Sequence, residues 1–329
     1  MKKILVIGSN SFTGSHYVNH LLNKNYHVYG TSRSTEPNKI FLPYKINKKK
    51  KNFRFIKLDL NIQLQKLFKL INKEKFIYIV NFASQGMVEQ SWFCPEDWYK
   101  TNTLTTIKLH DFLRKKKFVK RYVHISTPEV YGSTENFVSE NRNYKPSTPY
   151  ATSRAAADMS LHTFNDIYGF PVVFTRAANV YGPGQQLYRI IPKAIILGMK
   201  NKKIKLDGAG KSKRSFVYID DAIKATFKIM LYGKNGEVYH ISNNRLISIY
   251  GLTKKIFSKL DLNYKNHIAV GSERIGKDHS YMLKSQKLRK SFNWKEKITI
   301  DEGISKTIDW IKKNFNYMKN QNLYYKHKK

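Results

Sequence analysis

A chain of 329 residues with 41% apolar and 14% aromatic content is a globular composition, long enough for one large domain or two intimate ones, and not a disordered one. A formal charge of +37 invites a nucleic-acid or anionic-membrane partner, but 48 of the 60 basic residues are lysine, scattered except for KKKK at 48–51 and the KHKK tail. Arginine is richer where bases and phosphates are read, so the charge is read as solvated surface and no nucleic-acid partner is expected. No apolar run reaches 18 residues, which argues against a membrane span, and the single cysteine, Cys94, rules out an internal disulfide and suits a reducing cytoplasm.

The chain opens on MKKILVIGSN, two lysines before an apolar run too short for a secretory signal. The expectation is a first strand, KILVIG (3–8), with no targeting extension. A helix follows from about Gly14 to Asn25, then strands HVYGTS (27–32) and FRFIKLDL (53–60). A helix near 62–72 leads into FIYIVNFAS (76–84), and a long helix near 98–116 into RYVHIST (121–127). A further helix spans about 149–168 before the strand PVVFTRAAN (171–179). Strands alternating with helices predict parallel βαβ units and an α/β, Rossmann-type, doubly wound sheet. Beyond about residue 180 the pattern turns irregular. The expected organisation is a dinucleotide-binding domain over 1–178 and a smaller, interleaved substrate-binding part over 179–329, closing on the carboxyl ends of the strands.

The first turn, IGSNSFTG (7–14), has the spacing of a phosphate-binding glycine loop, with Gly8 and Gly14 outside and Ser11 in the middle. Such a loop brings backbone N–H groups to a pyrophosphate at a helix N-terminus. Serine there takes up space but adds a hydroxyl donor. The second strand ends in VYGTSRS, with Arg33 and no acid. A cation suits a ribose 2′-phosphate, so NADP is favoured over NAD. Asp59, after the third strand, is placed to accept from an adenine amino group.

Eight motifs then occur in one order: IGSNSFTG, DL (59–60), NFASQ (81–85), STPEVYG (126–132), PYATSRAAAD (149–158), NVYGPGQ (179–185), RSFVYIDDA (214–222) and RIGKD (274–278). Together they resemble the extended short-chain dehydrogenase/reductases of the nucleotide-sugar dehydratase/epimerase kind, and within these the 4,6-dehydratases. The resemblance implies a bound nicotinamide cofactor contacted by Gly8, Ser11, Phe12, Thr13, Gly14, Arg33, Asp59, Leu60, Ala83, Tyr150 and Arg154. It implies that Tyr150, as phenolate, takes the proton of the sugar C4 hydroxyl while hydride leaves C4. Free tyrosine titrates near 10, so a neighbouring cation must assist. The family has lysine where this chain has Arg154, whose guanidinium keeps its charge and can bond two ribose hydroxyls.

Thr127 matches a hydroxyl that bonds the C4 oxygen, and Glu129 a carboxylate that removes the C5 proton. Pro128 stands where dTDP-glucose dehydratases have an aspartic acid, which leaves either Glu129 or a water to protonate the departing C6 hydroxyl. Gln85, Asn179, Arg214 and Arg274 match substrate positions, the two arginines being suited to a diphosphate. Asn102 begins the next long helix, where an N-cap role is as good an account as a part in the site. No metal is expected, and a homodimer through a four-helix bundle is implied. The resulting expectation is a cytoplasmic nucleotide-sugar 4,6-dehydratase. The alternatives are a C4 epimerase, C4 oxidoreductase or C6 decarboxylase on the same fold, or a non-catalytic nucleotide-sensing or nucleic-acid-binding protein.

Overall fold

The computed structural model describes residues 2–273 and 278–328. The first six strands are β1 (Lys3–Ile7), β2 (His27–Ser32), β3 (Phe53–Lys57), β4 (Tyr78–Asn81), β5 (Arg121–Ile125) and β6 (Val172–Ala177). Later come β7 (Asn179–Tyr181), β8 (Ile204–Asp207), β9 (Lys213–Arg214), β10 (Phe216–Tyr218) and β11 (Val238–Ile241). A seven-stranded parallel sheet runs in the order β11-β6-β5-β4-β1-β2-β3. Its direction of winding reverses between β1 and β4, and the crevice at the carboxyl ends beside that reversal is where such sheets take ligands. The sheet is covered on both faces, so β1 is an unbroken apolar run. Ile4 and Val6 enter one core, Leu5 and Ile7 the other. The seventh strand, β11, lies beyond residue 180 and carries no alternation that a sequence reading can use, because all four of its residues are buried.

The helices differ from expectation mainly at their ends. α1 spans Phe12–Asn23, two residues earlier than its predicted start, because Ser11 is its N-cap and accepts from the Gly14 amide at 3.0 Å. α2 spans Leu64–Glu74. The predicted 98–116 helix is three pieces: α3 (Pro95–Trp98), a π-helical turn (Tyr99–Leu104) and α4 (Thr105–Arg114). α5 (Pro149–Tyr168) has strong terminal signals: Thr148 caps Ala151, Pro149 takes the first position and Gly169 ends it at φ 63°.

The second part holds more helix than its sequence suggests. It contains α6 (Ile190–Met199), α7 (Ile219–Tyr232), α8 (Ile249–Ser258), α9 (Tyr264–His267), α10 (Gln286–Phe292), α11 (Ile300–Lys313) and α12 (Phe315–Met318). Among the described residues no helix is long and apolar enough to cross a membrane. Asp221 in the first turn of α7 fastens this part. Its buried carboxylate accepts from the amides of Lys297 and Ile298 at 2.9 and 3.0 Å, while its carbonyl takes the Trp294 indole N–H. Asp221→Ala leaves two amides without their acceptor and should lower unfolding stability by about 2–4 kcal/mol, read from denaturant midpoints, with Asp221→Asn milder.

Candidate active site

The loop from β1 to α1 is shaped by two close approaches. Gly8 has φ 83°, and a Cβ there would lie 2.7 Å from the Ala83 nitrogen at the end of β4. A Cβ on Gly14 would lie 2.2 Å from the Gly8 carbonyl oxygen. Both positions therefore require glycine. Ser11 does not, having φ −68°, and its hydroxyl oxygen is committed to the helix cap. Phe12 and Thr13 begin α1, where backbone N–H groups precede any intrahelical acceptor. The result is a cradle of amides at a helix N-terminus, which fits a dinucleotide pyrophosphate.

The neighbouring strand ends complete this edge. Asn81 donates to the Tyr122 hydroxyl at 2.9 Å and accepts from the Ala83 amide at 3.0 Å, holding the Ala83 loop open beneath β1. Asp59 accepts from the Asn61 amide at 2.8 Å, an Asx turn after β3, with Leu60 half-buried beside it. Arg33 follows β2, and its charge acts on Tyr325 in the C-terminal segment.

The reactive cluster is assembled from β5, the turn after it and α5. Thr127 follows β5, and Pro128 starts a short 3-10 turn, Pro128–Tyr131, that swings Glu129 back so that the Thr127 hydroxyl donates to its carboxylate. Thr127 also hydrogen-bonds Tyr150. Burial pushes the Tyr150 phenol up to about 12 and the Glu129 charge adds to the rise, while Arg154 and the Thr127 bond oppose it. Burial likewise raises the Glu129 carboxyl. Arg214 and Arg189 work against that rise and Asp278 works with it. Thr127, Glu129, Tyr150 and Arg214 thus share one site, with Thr127 and Tyr150 buried and Glu129 and Arg214 half-buried. Arg189 and Asp278 belong to it as well, although neither was singled out in the sequence. Arg189 stands four residues past NVYGPGQ and Asp278 closes RIGKD, so following those motifs outward finds both.

Arg154 is placed differently from the expectation that it would reach a ribose. It is 2% exposed, and its Nη2 donates to the Ile125 carbonyl and lies 3.2 Å from His124 Nε2. One turn further along α5, Asp158 is fully buried. It pairs with Arg176 of β6 at 2.8 Å, accepts from Ser126 at 2.6 Å and faces His124 at 3.4 Å. Burial alone would raise the Asp158 carboxyl, but Arg176, His124 and Ser126 hold it well below the carboxylate range. Burial and the Arg154 and Arg176 charges outweigh the pull of Asp158 on His124, so this ring is held neutral.

The remaining predicted residues divide. Arg214 donates to the carbonyls of Lys213, Asp278 and His279 at 2.7–2.8 Å and lies over the Tyr281 ring at 4.5 Å. Asn179 opens β7 and pairs with Phe216 of β10, two residues past Arg214. Gln85 is tied to Asn102, which is no helix cap. Asn102 is fully buried in the π turn and clamps the Gln85 backbone at 2.9 and 3.0 Å and the Ser153 hydroxyl at 3.0 Å. Arg274 lies outside the described residues.

A phosphate cradle at a sheet switch point, with a Thr–Glu–Tyr set at the next strand end, defines an extended short-chain dehydrogenase/reductase. The family model for GDP-mannose 4,6-dehydratase matches residues 5–307, and the chain belongs to that family of nucleotide-sugar 4,6-dehydratases. It is 31% identical over 335 residues to a human dTDP-D-glucose 4,6-dehydratase, covering 97% of this chain and 92% of that protein. It is also 31% identical to an Arabidopsis thaliana trifunctional protein with UDP-glucose 4,6-dehydratase activity, covering 95% of this chain and 47% of that one. A dTDP-glucose 4,6-dehydratase of Streptomyces venezuelae, solved with NAD bound, superposes with a TM-score of 0.88 at 27% identity over 96% of this chain and 98% of that one. A UDP-glucose 4-epimerase of Thermotoga maritima superposes at 0.85 with 25% identity, covering 95% and 99%. The fold is thus shared with epimerases.

Asp158→Asn leaves the Arg176 guanidinium buried without its carboxylate. It should lower stability by about 3–5 kcal/mol, seen as a matching drop in thermal midpoint, while the shape-neutral Ser126→Ala loses far less.

Proposed function

We propose that this chain converts a pyrimidine-nucleoside diphosphate glucose, dTDP- or UDP-linked, to its 4-keto-6-deoxy product with NAD held in the β1–α1 cradle. The placement of Glu129 against Thr127 and Tyr150 carries this reading, because inversion at C4 needs no such carboxylate. NAD is favoured over the NADP expected from Arg33. The similar dTDP-glucose 4,6-dehydratase structures hold NAD, and the Arg33 charge acts on the chain's own Tyr325. When bound, the nicotinamide takes a hydride and returns it.

Tyr150, as phenolate, takes the proton of the C4 hydroxyl as the hydride leaves C4. Glu129 then takes the C5 proton, which the new C4 ketone makes acidic, and its raised affinity for protons makes it a stronger base than a free carboxylate. Pro128 carries no proton, so we assign the next step to Glu129 too: it passes its proton to the C6 hydroxyl, which leaves as water. Hydride enters C6 and a proton returns to C5, so the cofactor ends as it began. Arg154 acts as the buried cation that favours the phenolate, and Arg214, Asn179 and Gln85 line the nucleotide-sugar side of the cleft, drawn mainly from residues beyond 178. We place the enzyme in the cytoplasm.

The protein should lose water from dTDP- or UDP-glucose in preference to GDP-mannose, by mass spectrometry of the products. An unchanged mass with inverted C4 would overturn the reading. Glu129→Gln should retain cofactor and substrate binding and lose at least about a hundredfold in dehydration. In the native enzyme activity falls as pH drops through the Glu129 value. Since that value is raised, the acid limb of kcat/KM should lie above the ~4.3 of free glutamate.

Leu104 of the π turn and Met159, Ile167 and Tyr168 of α5 are exposed, and the four-helix-bundle homodimer would cover them. Light scattering should give twice the chain mass, and Leu104→Glu with Met159→Glu should give a monomer.

A further inference from the structure

The end of the chain returns to the rim of the cleft. Cys94 is the N-cap residue of α3, and Asp97 sits within that helix three residues on. His327 arrives from the C-terminal segment, with Nε2 2.6 Å from the Asp97 carboxylate. The Cys94 sulfur, an Asp97 oxygen and a His327 ring nitrogen all lie within 4.8 Å of one another, and all three residues are half-buried. The His327 ring is stacked on the fully buried Trp98, with centroids 4.9 Å apart and planes 17° apart. Its other nitrogen, Nδ1, is 3.4 Å from the Tyr325 hydroxyl.

We propose that Cys94, Asp97 and His327 form a divalent metal site suited to Zn2+, with water as fourth ligand, that clips the C-terminal segment to the body of the protein. A thiolate, an imidazole and a carboxylate make a donor set that zinc favours over magnesium or calcium. Ligand atoms 2.0–2.3 Å from a tetrahedral zinc are separated by about 3.3–3.6 Å. From a cluster within 4.8 Å, that spacing asks the Asp97–His327 contact to open by less than about 1 Å and the thiol to close in by a little more than about 1 Å. The outer shell is built as well. Trp98 fixes the plane of the imidazole, and Tyr325 stands where a partner to its second nitrogen belongs. A simple histidine–carboxylate hydrogen bond accounts for two members of the cluster but gives Cys94 no part.

The clip bears on the cleft whichever reaction runs there. Gln85 Nε2 donates to the Lys328 carbonyl at 3.1 Å, Tyr325 packs edge-on against Tyr188 at 5.4 Å, and the charges of Arg33 and Arg189 reach the Tyr325 phenol. Fixing His327 therefore fixes a strap between the cofactor side and the sugar side of the site.

The test uses full-length protein stripped with a chelator and titrated with Co2+ and then Zn2+. The proposal predicts one equivalent of Co2+, a thiolate-to-cobalt absorption band displaced by Zn2+, and loss of that band in Cys94→Ser and in His327→Gln. It also predicts that Zn2+ at about a hundred times its Kd slows tryptic cleavage at Lys326 about a hundredfold, because only the closed strap holds the metal. His327→Gln should abolish this protection. Absence of the band in folded native protein, or a band that survives either substitution, overturns the site. His327→Gln lies in the terminal segment and decides the matter if Cys94→Ser fails to fold. Tail cleavage unaffected by bound metal overturns the clip.

Discussion

A polar stripe on α5 is the constraint around which the site is arranged. Tyr150, Arg154, Asp158 and His162 recur every four residues and are all buried against β5 and β6. Buried charges survive only when paired and hydrogen-bonded. Asp158 meets this demand by engaging Arg176, Ser126 and His124 together. Arg154 has no carboxylate of its own and leans on the Ile125 carbonyl and a neutral His124. With Arg176 of β6, the stripe therefore sets two guanidinium groups against one carboxylate, and the excess positive charge lies one helical turn from the Tyr150 phenol.

That excess has a consequence for the chemistry. Burial and Glu129 both resist ionisation of Tyr150, and Arg154 offsets part of that resistance. The two acids oppose each other's charge, so they behave as a coupled pair. In the proposed reaction, proton transfer from the C4 hydroxyl to Tyr150 removes the phenolate charge and leaves Glu129 freer to remain ionised for C5, and protonation of Glu129 in turn eases return of the phenolate. Pro128 removes a third acid from this group and fixes the turn that brings Glu129 back over Thr127.

The sheet was legible because its first six strands are short apolar runs separated by helical periods, and the α5 ends were legible because Thr148, Pro149 and Gly169 are strong local signals. β11 was not, since a four-residue strand buried on both faces has no period to detect. Tyr150, Glu129 and Thr127 could be named from their motifs. The partners of Arg154, His124 and Ile125, were not legible because they lie about 30 residues away. The clamp made by Asn102 was not legible because a π turn leaves no local mark. The action of the Arg33 charge on Tyr325, nearly 300 residues later, was not legible either. Local sequence therefore reported the residues that act through their own element, and missed those whose meaning is a long-range pairing.

In the proposed reaction one hydride leaves C4 and returns to C6 of the same sugar, with Glu129 opening the way by removing the C5 proton. Its most direct test is turnover of a nucleotide glucose deuterated at C4, followed by mapping of the label. The account predicts deuterium at C6 of a 4-keto-6-deoxy product, with none accumulating on free cofactor. Deuterium recovered at C4 of an epimer, or released on a reduced nicotinamide, would contradict it.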